Sequence, residues 1–148
     1  MRVLVTLTLA LLLTCTASAQ HKIPALPETA SAPQTLASGI TVIELKVGPG
    51  IAAEKGRMVR ITYTGWVSKS EVMFDFRDQR TGPLAFRLGQ GGLMKGLELG
   101  VFGMKVGGKR RVIVPPRLGH GSKATRGVPA NSELTYEIEL VSVARPGV

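Results

Sequence analysis

The alternation of apolar and polar positions describes a strand-rich chain with one helical interruption. Glu133 to Val143 carries the clearest period of two: Leu134, Tyr136, Ile138 and Leu140 fall on one face, Thr135, Glu137 and Glu139 on the other. A strand with one buried face requires that pattern. Arg57 to Trp66 alternates likewise, with Val59, Ile61 and Tyr63 opposite Arg60, Thr62 and Thr64. Ile40, Val42 and Ile43 predict a first strand, Glu71 to Phe76 and Leu84 to Leu88 two extended pieces, and Lys109 to Val114 a strand halted by Pro115 and Pro116. Between these strands Leu93, Met94, Leu97 and Val101 recur at helical spacing, which predicts one short helix with Gly100 and Gly103 as candidate stops. A glycine inside so short a helix costs about 1 kcal/mol relative to alanine. The backbone must therefore be bare for a reason, and close approach of a ligand or a sheet is the physical one. About five antiparallel strands and one short helix make an α+β fold, with the sheet wrapped around the helix.

The first residues depart from this pattern. Met1-Arg2 is a positive start, Val3 to Leu13 an apolar run, and Ala17-Ser18-Ala19 a small-residue cleavage site. Residues 1–19 are thus expected to be a secretory signal peptide of bacterial type, which places the mature protein in the periplasm. The apolar run is short for a bilayer span and no second one follows, so no transmembrane anchor is expected. Cys15, the single cysteine, would leave with the signal, and the fold would stand without a disulfide. The alternative reading takes Leu12-Leu13-Thr14-Cys15 as a lipoprotein box, with the protein anchored through Cys15. Residues 20–38, with Pro24, Pro27 and Pro33 and no apolar period, read as a flexible leader. Residues 39–145 form the folded domain.

Charge and motifs narrow the chemistry mainly by exclusion. The formal charge of +9 draws such a domain to polyanions. The basic run of Lys105, Lys109, Arg110 and Arg111, continuing to Arg117, Lys123 and Arg126, has few aromatics beside it on which bases could stack. A solvated face is the better reading of it, and no specific nucleic-acid partner is expected. Gly103 to Lys109 satisfies GxxxxGK, yet Arg110 stands where a hydroxyl should hold magnesium, and the helix precedes rather than follows. A dinucleotide fingerprint from Gly89 and Gly91 fails at Met94. Two distant histidines, His21 and His120, offer little to a metal, and no cofactor is implied. Ser122 near His120 lacks an evident orienting carboxylate.

The ordered series Val59-Arg-Ile-Thr-Tyr63-Thr-Gly65, Phe74-Asp75, Phe86-Arg-Leu-Gly89, the glycine-punctuated helix and Tyr136-Glu-Ile-Glu-Leu140 resembles the FKBP-type peptidyl-prolyl cis-trans isomerases, from about Gly39 to Val143. The likeness is to their small exported bacterial forms. It implies an FKBP-like fold, an expected monomer, and catalysis of rotation about Xaa-Pro bonds in unfolded or folding polypeptides. It also implies macrolide compounds as possible ligands. Carried over by position, it implies catalytic roles for Tyr63, Phe74, Asp75, Phe86, Met94, Leu97, His120 and Tyr136, and substrate contacts for Leu84, Leu93 and Val128. It further implies that Tyr63 and Arg80 hold Asp75, and that the backbone N–H of Met94 receives a substrate carbonyl. Three positions depart from the family's habit. Leu97 replaces a tryptophan at the pocket floor, His120 a hydrogen-bonding tyrosine, and Leu84 a common aromatic. The resemblance therefore implies reduced activity and altered macrolide affinity. A folding chaperone or peptide-binding module with weak or no isomerase activity is the alternative.

Overall fold

The computed structural model describes residues 22–145. The expected signal peptide and Cys15 lie outside them. A two-residue strand not predicted from the sequence, β1 (Gln34–Thr35), comes first; the predicted strands follow with shifts of one to a few residues at their ends as β2 (Thr41–Lys46), β3 (Met58–Val67), β4 (Val72–Arg77), β5 (Leu84–Arg87), β6 (Lys109–Val114) and β7 (Leu134–Val143). They join into one antiparallel sheet of seven strands, in the order β1, β2, β6, β7, β3, β4. Its spine is the long pairing of β3 with β7, from Val59 opposite Val143 to Val67 opposite Leu134. The other edge of β3 is divided, with β5 along Met58 to Ile61 and β4 along Tyr63 to Val67. The count exceeds the expected five or so because the six extended segments seen in the sequence all form strands and the two-residue β1 adds a seventh.

Alternation translates into burial. Val59, Ile61, Leu134, Ile138 and Leu140 are fully buried in one core, while Arg60 and Glu139 on the opposite faces are exposed. Thr135 is an exception, buried with its hydroxyl 2.8 Å from that of Ser68, so its polar group is satisfied.

The helix α1 (Lys95–Val101) lies on this sheet. A methyl group at Gly96 would stand 2.3 Å from Cγ1 of Val114, and one at Gly100 2.7 Å from Cγ2 of Val112. Neither contact is sterically possible, so here the sheet requires the bare backbone. Gly100 is accordingly inside the helix, and the stop is Gly103, whose φ of 79° suits glycine. Leu97 and Val101 enter the core beside these contacts.

Two expectations change. Residues 22–38, expected to be a flexible leader, are laid against the sheet. β1 pairs with β2, Ser31 N–H donates to the Glu44 carbonyl at 2.9 Å, and Glu44 N–H donates to Ser31 Oγ at 2.9 Å. The segment is held by its backbone and remains largely exposed, which is why it has no apolar period. The basic run is not simply a solvated face either. Arg110 pairs with Glu44 and donates to the carbonyls of Gly100 and Phe102, while Arg111, buried, pairs with Glu137 and donates to the Pro24 carbonyl. Among the described residues no helix is long and apolar enough to cross a membrane.

The helix–sheet contact separates two physical effects. Helix propensity alone would make Gly96→Ala stabilising by about 1 kcal/mol. Overpacking against Val114 makes it destabilising by about 1–3 kcal/mol. Urea denaturation of the variant is expected to show the loss, and a gain in stability would contradict the packing argument.

Candidate functional site

The C-terminal half of β3 supplies Tyr63, β4 supplies Phe74 and Asp75, β7 supplies Tyr136 and α1 supplies Leu97. Leu93 and Met94 come from the turn into α1, and His120, Thr125 and Arg126 from the loop between β6 and β7. Together these residues line a cleft of about 320 Å³. Its walls are aromatic rings set edge to face: Tyr63 and Tyr136 have centroids 5.9 Å apart at 67°, Phe74 and Tyr136 5.8 Å at 80°, and Phe74 and His120 6.0 Å at 71°. Such pairs contribute about 0.5–1.5 kcal/mol each beyond their burial and hold one another's orientation. Leu97, 3% exposed, forms the apolar floor.

Gly65 makes this ring cluster possible. It stands opposite Tyr136 on β7 and Asp75 on β4, and a methyl group there would lie 2.7 Å from Cε1 of Tyr136 and 3.1 Å from Cζ of Phe74. A glycine inside an alternating strand is a recognisable mark of close approach.

The polar groups sit at the rim. Tyr63 donates its hydroxyl to Asp75 Oδ2 at 2.8 Å, although Asp75 itself is exposed. Burial, reinforced by the hydrogen bond to Asp75, pushes the Tyr63 phenol up to about 12. Burial, reinforced by the charge environment of Tyr63 and Asp75, likewise raises the Tyr136 phenol well above its usual range. Both are neutral donors at physiological pH, and Tyr136 donates to Met94 Sδ at 3.7 Å. His120 Nδ1 lies 2.7 Å from Thr125 Oγ1, so the imidazole is oriented by Thr125 rather than by the neighbouring Ser122.

Of the residues singled out from the sequence, Tyr63, Phe74, Asp75, Leu93, Met94, Leu97, His120 and Tyr136 meet in this cleft. Leu84, Phe86 and Val128 do not line it. Phe86 and Val128 are core residues at 8% and 2% exposure, and Leu84 packs against the core. For Leu84 and Phe86 the reason is register: β5 pairs with the first half of β3, whereas the cleft is built on the second half, while Val128, in the loop between β6 and β7, is buried in the core. Arg80 does not hold Asp75 either. It is exposed and faces Asp78 at 4.0 Å, while the cation that perturbs Tyr63 is Arg77. Thr125 and Arg126 escaped sequence reasoning because an aperiodic polar loop gives no signal of what it faces.

The sequence profile of the family described as FKBP-type peptidyl-prolyl cis-trans isomerase matches residues 50–141. The chain belongs to this family. Among FKBP-type relatives, an FK506-binding protein 3 of Candida albicans is 47% identical over 110 residues, which is 74% of this chain and 25% of that protein. A peptidyl-prolyl cis-trans isomerase of Saccharomyces cerevisiae is 41% identical over 110 residues, 74% of this chain and 26% of that one. The chain thus spans about a quarter of the length of these fungal relatives. Among solved structures, FkpA from Escherichia coli superposes with a TM-score of 0.67 at 32% identity, covering 75% of this chain and 51% of that one. AtFKBP13 superposes with a TM-score of 0.68 at 30% identity over 77% of this chain and all (100%) of that one. The antiparallel sheet with one short helix is therefore the FKBP fold.

The buried Tyr63 phenol, hydrogen-bonded to Asp75, has a signature in pH. The folded phenol titrates near 12 against 10.0 for an unperturbed tyrosine. Its contribution is complete below pH 10 and is lost as pH rises through 12. Wild type should exceed Tyr63→Phe in unfolding free energy by about 1 kcal/mol near neutrality, with the difference shrinking above pH 10. A difference that stays constant to pH 12 would contradict the assignment.

Proposed function

We propose that the cleft catalyses cis-trans isomerisation of Xaa-Pro peptide bonds in unfolded or folding polypeptides. The observation that carries this reading is the aromatic enclosure of Tyr63, Tyr136, Phe74 and His120 above the apolar floor of Leu97. Isomerisation needs no nucleophile. The barrier of about 20 kcal/mol comes from amide resonance, which is lost as the bond twists. The planar amide is the more polar state, so an apolar cleft that strips its hydration favours the twisted one. Flat aromatic walls fit the proline ring. Donors at the rim then orient the flanking peptide: the N–H of Met94 has no backbone acceptor among the described residues, and the His120 ring lines the cleft beside Phe74.

The expected signal peptide supports an exported, periplasmic setting, with lipid anchoring through Cys15 as the alternative. A monomer is the state this reading expects. Proline-containing chains are the partners this reading implies, with macrolides as possible inhibitors. A second reading rests on Leu97 and His120, which offer less surface and a different donor than the family's usual residues. In it the cleft captures chains without accelerating isomerisation.

Proline-limited refolding of a client protein separates the two. Catalysis predicts acceleration by the wild type, reduced about tenfold or more by Phe74→Ala and by Asp75→Val. Suppression of aggregation with unchanged refolding rate, equal in wild type and Phe74→Ala, would replace the isomerase reading with capture.

A further inference from the structure

On the outer side of α1 a second cavity of about 490 Å³ adjoins the cleft. Leu93 lines both, so the two open on either side of one side chain. Its apolar lining continues onto Leu99 and Phe102, three residues apart and hence on one face of the helix and its cap. Phe102 is 56% exposed, unusual for so large a ring with no partner. Lys55 and Lys95 stand at the rim, both exposed and neither ion-paired among the described residues. Glu98 also lines the cavity, and its Oε1 is buried without a hydrogen-bond donor among the described residues.

We infer that this cavity extends the cleft and takes an apolar side chain, next to an acidic residue, from the same polypeptide whose proline occupies the first site. The inference rests on the proposed reading of the cleft. Continuity through Leu93 places the occupant on the bound chain. Phe102 and Leu99 select an apolar side chain, and the two lysines favour an adjacent carboxylate. The cavity would thus set substrate preference without touching the bond that rotates.

The test compares isomerisation of a proline tetrapeptide with that of decapeptides carrying a Leu-Asp pair before or after the proline. Wild type, Phe102→Ser and the double variant Lys55→Glu with Lys95→Glu are assayed, with peptide affinity followed by fluorescence anisotropy. Phe102 and the lysines are exposed, and circular dichroism checks each fold. The wild type should prefer at least one decapeptide by about tenfold in kcat/KM and in Kd. Either variant should abolish that preference while leaving the tetrapeptide unchanged. Catalysis of the tetrapeptide with no decapeptide preference, or a preference that survives both variants, would overturn the inference and leave the cleft's reading intact. Failure to accelerate any peptide would overturn that reading and the inference with it. A wild-type dimer in sedimentation that Phe102→Ser dissolves would reassign the cavity to contact between two copies and overturn it also.

Discussion

The architecture depends on how closely one seven-residue helix approaches the sheet. Gly96 and Gly100 present only hydrogen atoms to Val114 and Val112, and there is no room for a methyl group at either. That contact sets the depth at which Leu97, the next residue after Gly96, stands beneath the aromatic rings. Leu97 therefore belongs to the core and to the cleft at once. A side chain at Gly96 would lift the helix, open a void beneath Leu97 and separate floor from walls. Stability and site geometry are coupled here because the same backbone approach produces both.

A second constraint of the same kind acts across the sheet. Gly65 leaves space on β3 for the rings of Tyr136 and Phe74, and the divided edge of β3 assigns its two halves different tasks. The half paired with β5 closes the core, and the half paired with β4 carries Tyr63, Phe74 and Asp75 to the surface of the cleft. Both phenols are protonated at neutral pH and burial raises them further, so they offer hydrogen-bond donors without adding anionic charge to the apolar interior. An environment of that kind suits a reaction whose transition state is less polar than its ground state.

Much of this was legible in the sequence because burial on one face imposes a period. The alternation of Arg57 to Trp66 and Glu133 to Val143 located the two spine strands, and the helical spacing from Leu93 to Val101 located the floor. The ordered series around Tyr63, Phe74 and Tyr136 located eight lining residues. Register was not legible in that way. Phe86 and Leu84 look like their aromatic and aliphatic neighbours in sequence, yet β5 sits too far along β3 for them to reach the cleft. Arg80 is three residues from Arg77, and only the course of the loop decides that it faces Asp78. The leader's docking is not legible in the sequence because backbone hydrogen bonds, which leave no apolar pattern, hold it to β2.

Leu97 and His120 make the rate itself the open quantity, and exchange spectroscopy measures it without a folding client. Magnetisation exchange between the cis and trans signals of a proline tetrapeptide, at substoichiometric protein, reports interconversion at equilibrium. Catalysis by the cleft predicts exchange cross-peaks on a sub-second scale, against the tens of seconds of the free peptide, and their loss with Phe74→Ala. Shifts of the peptide signals on binding, without any added exchange, would contradict the account.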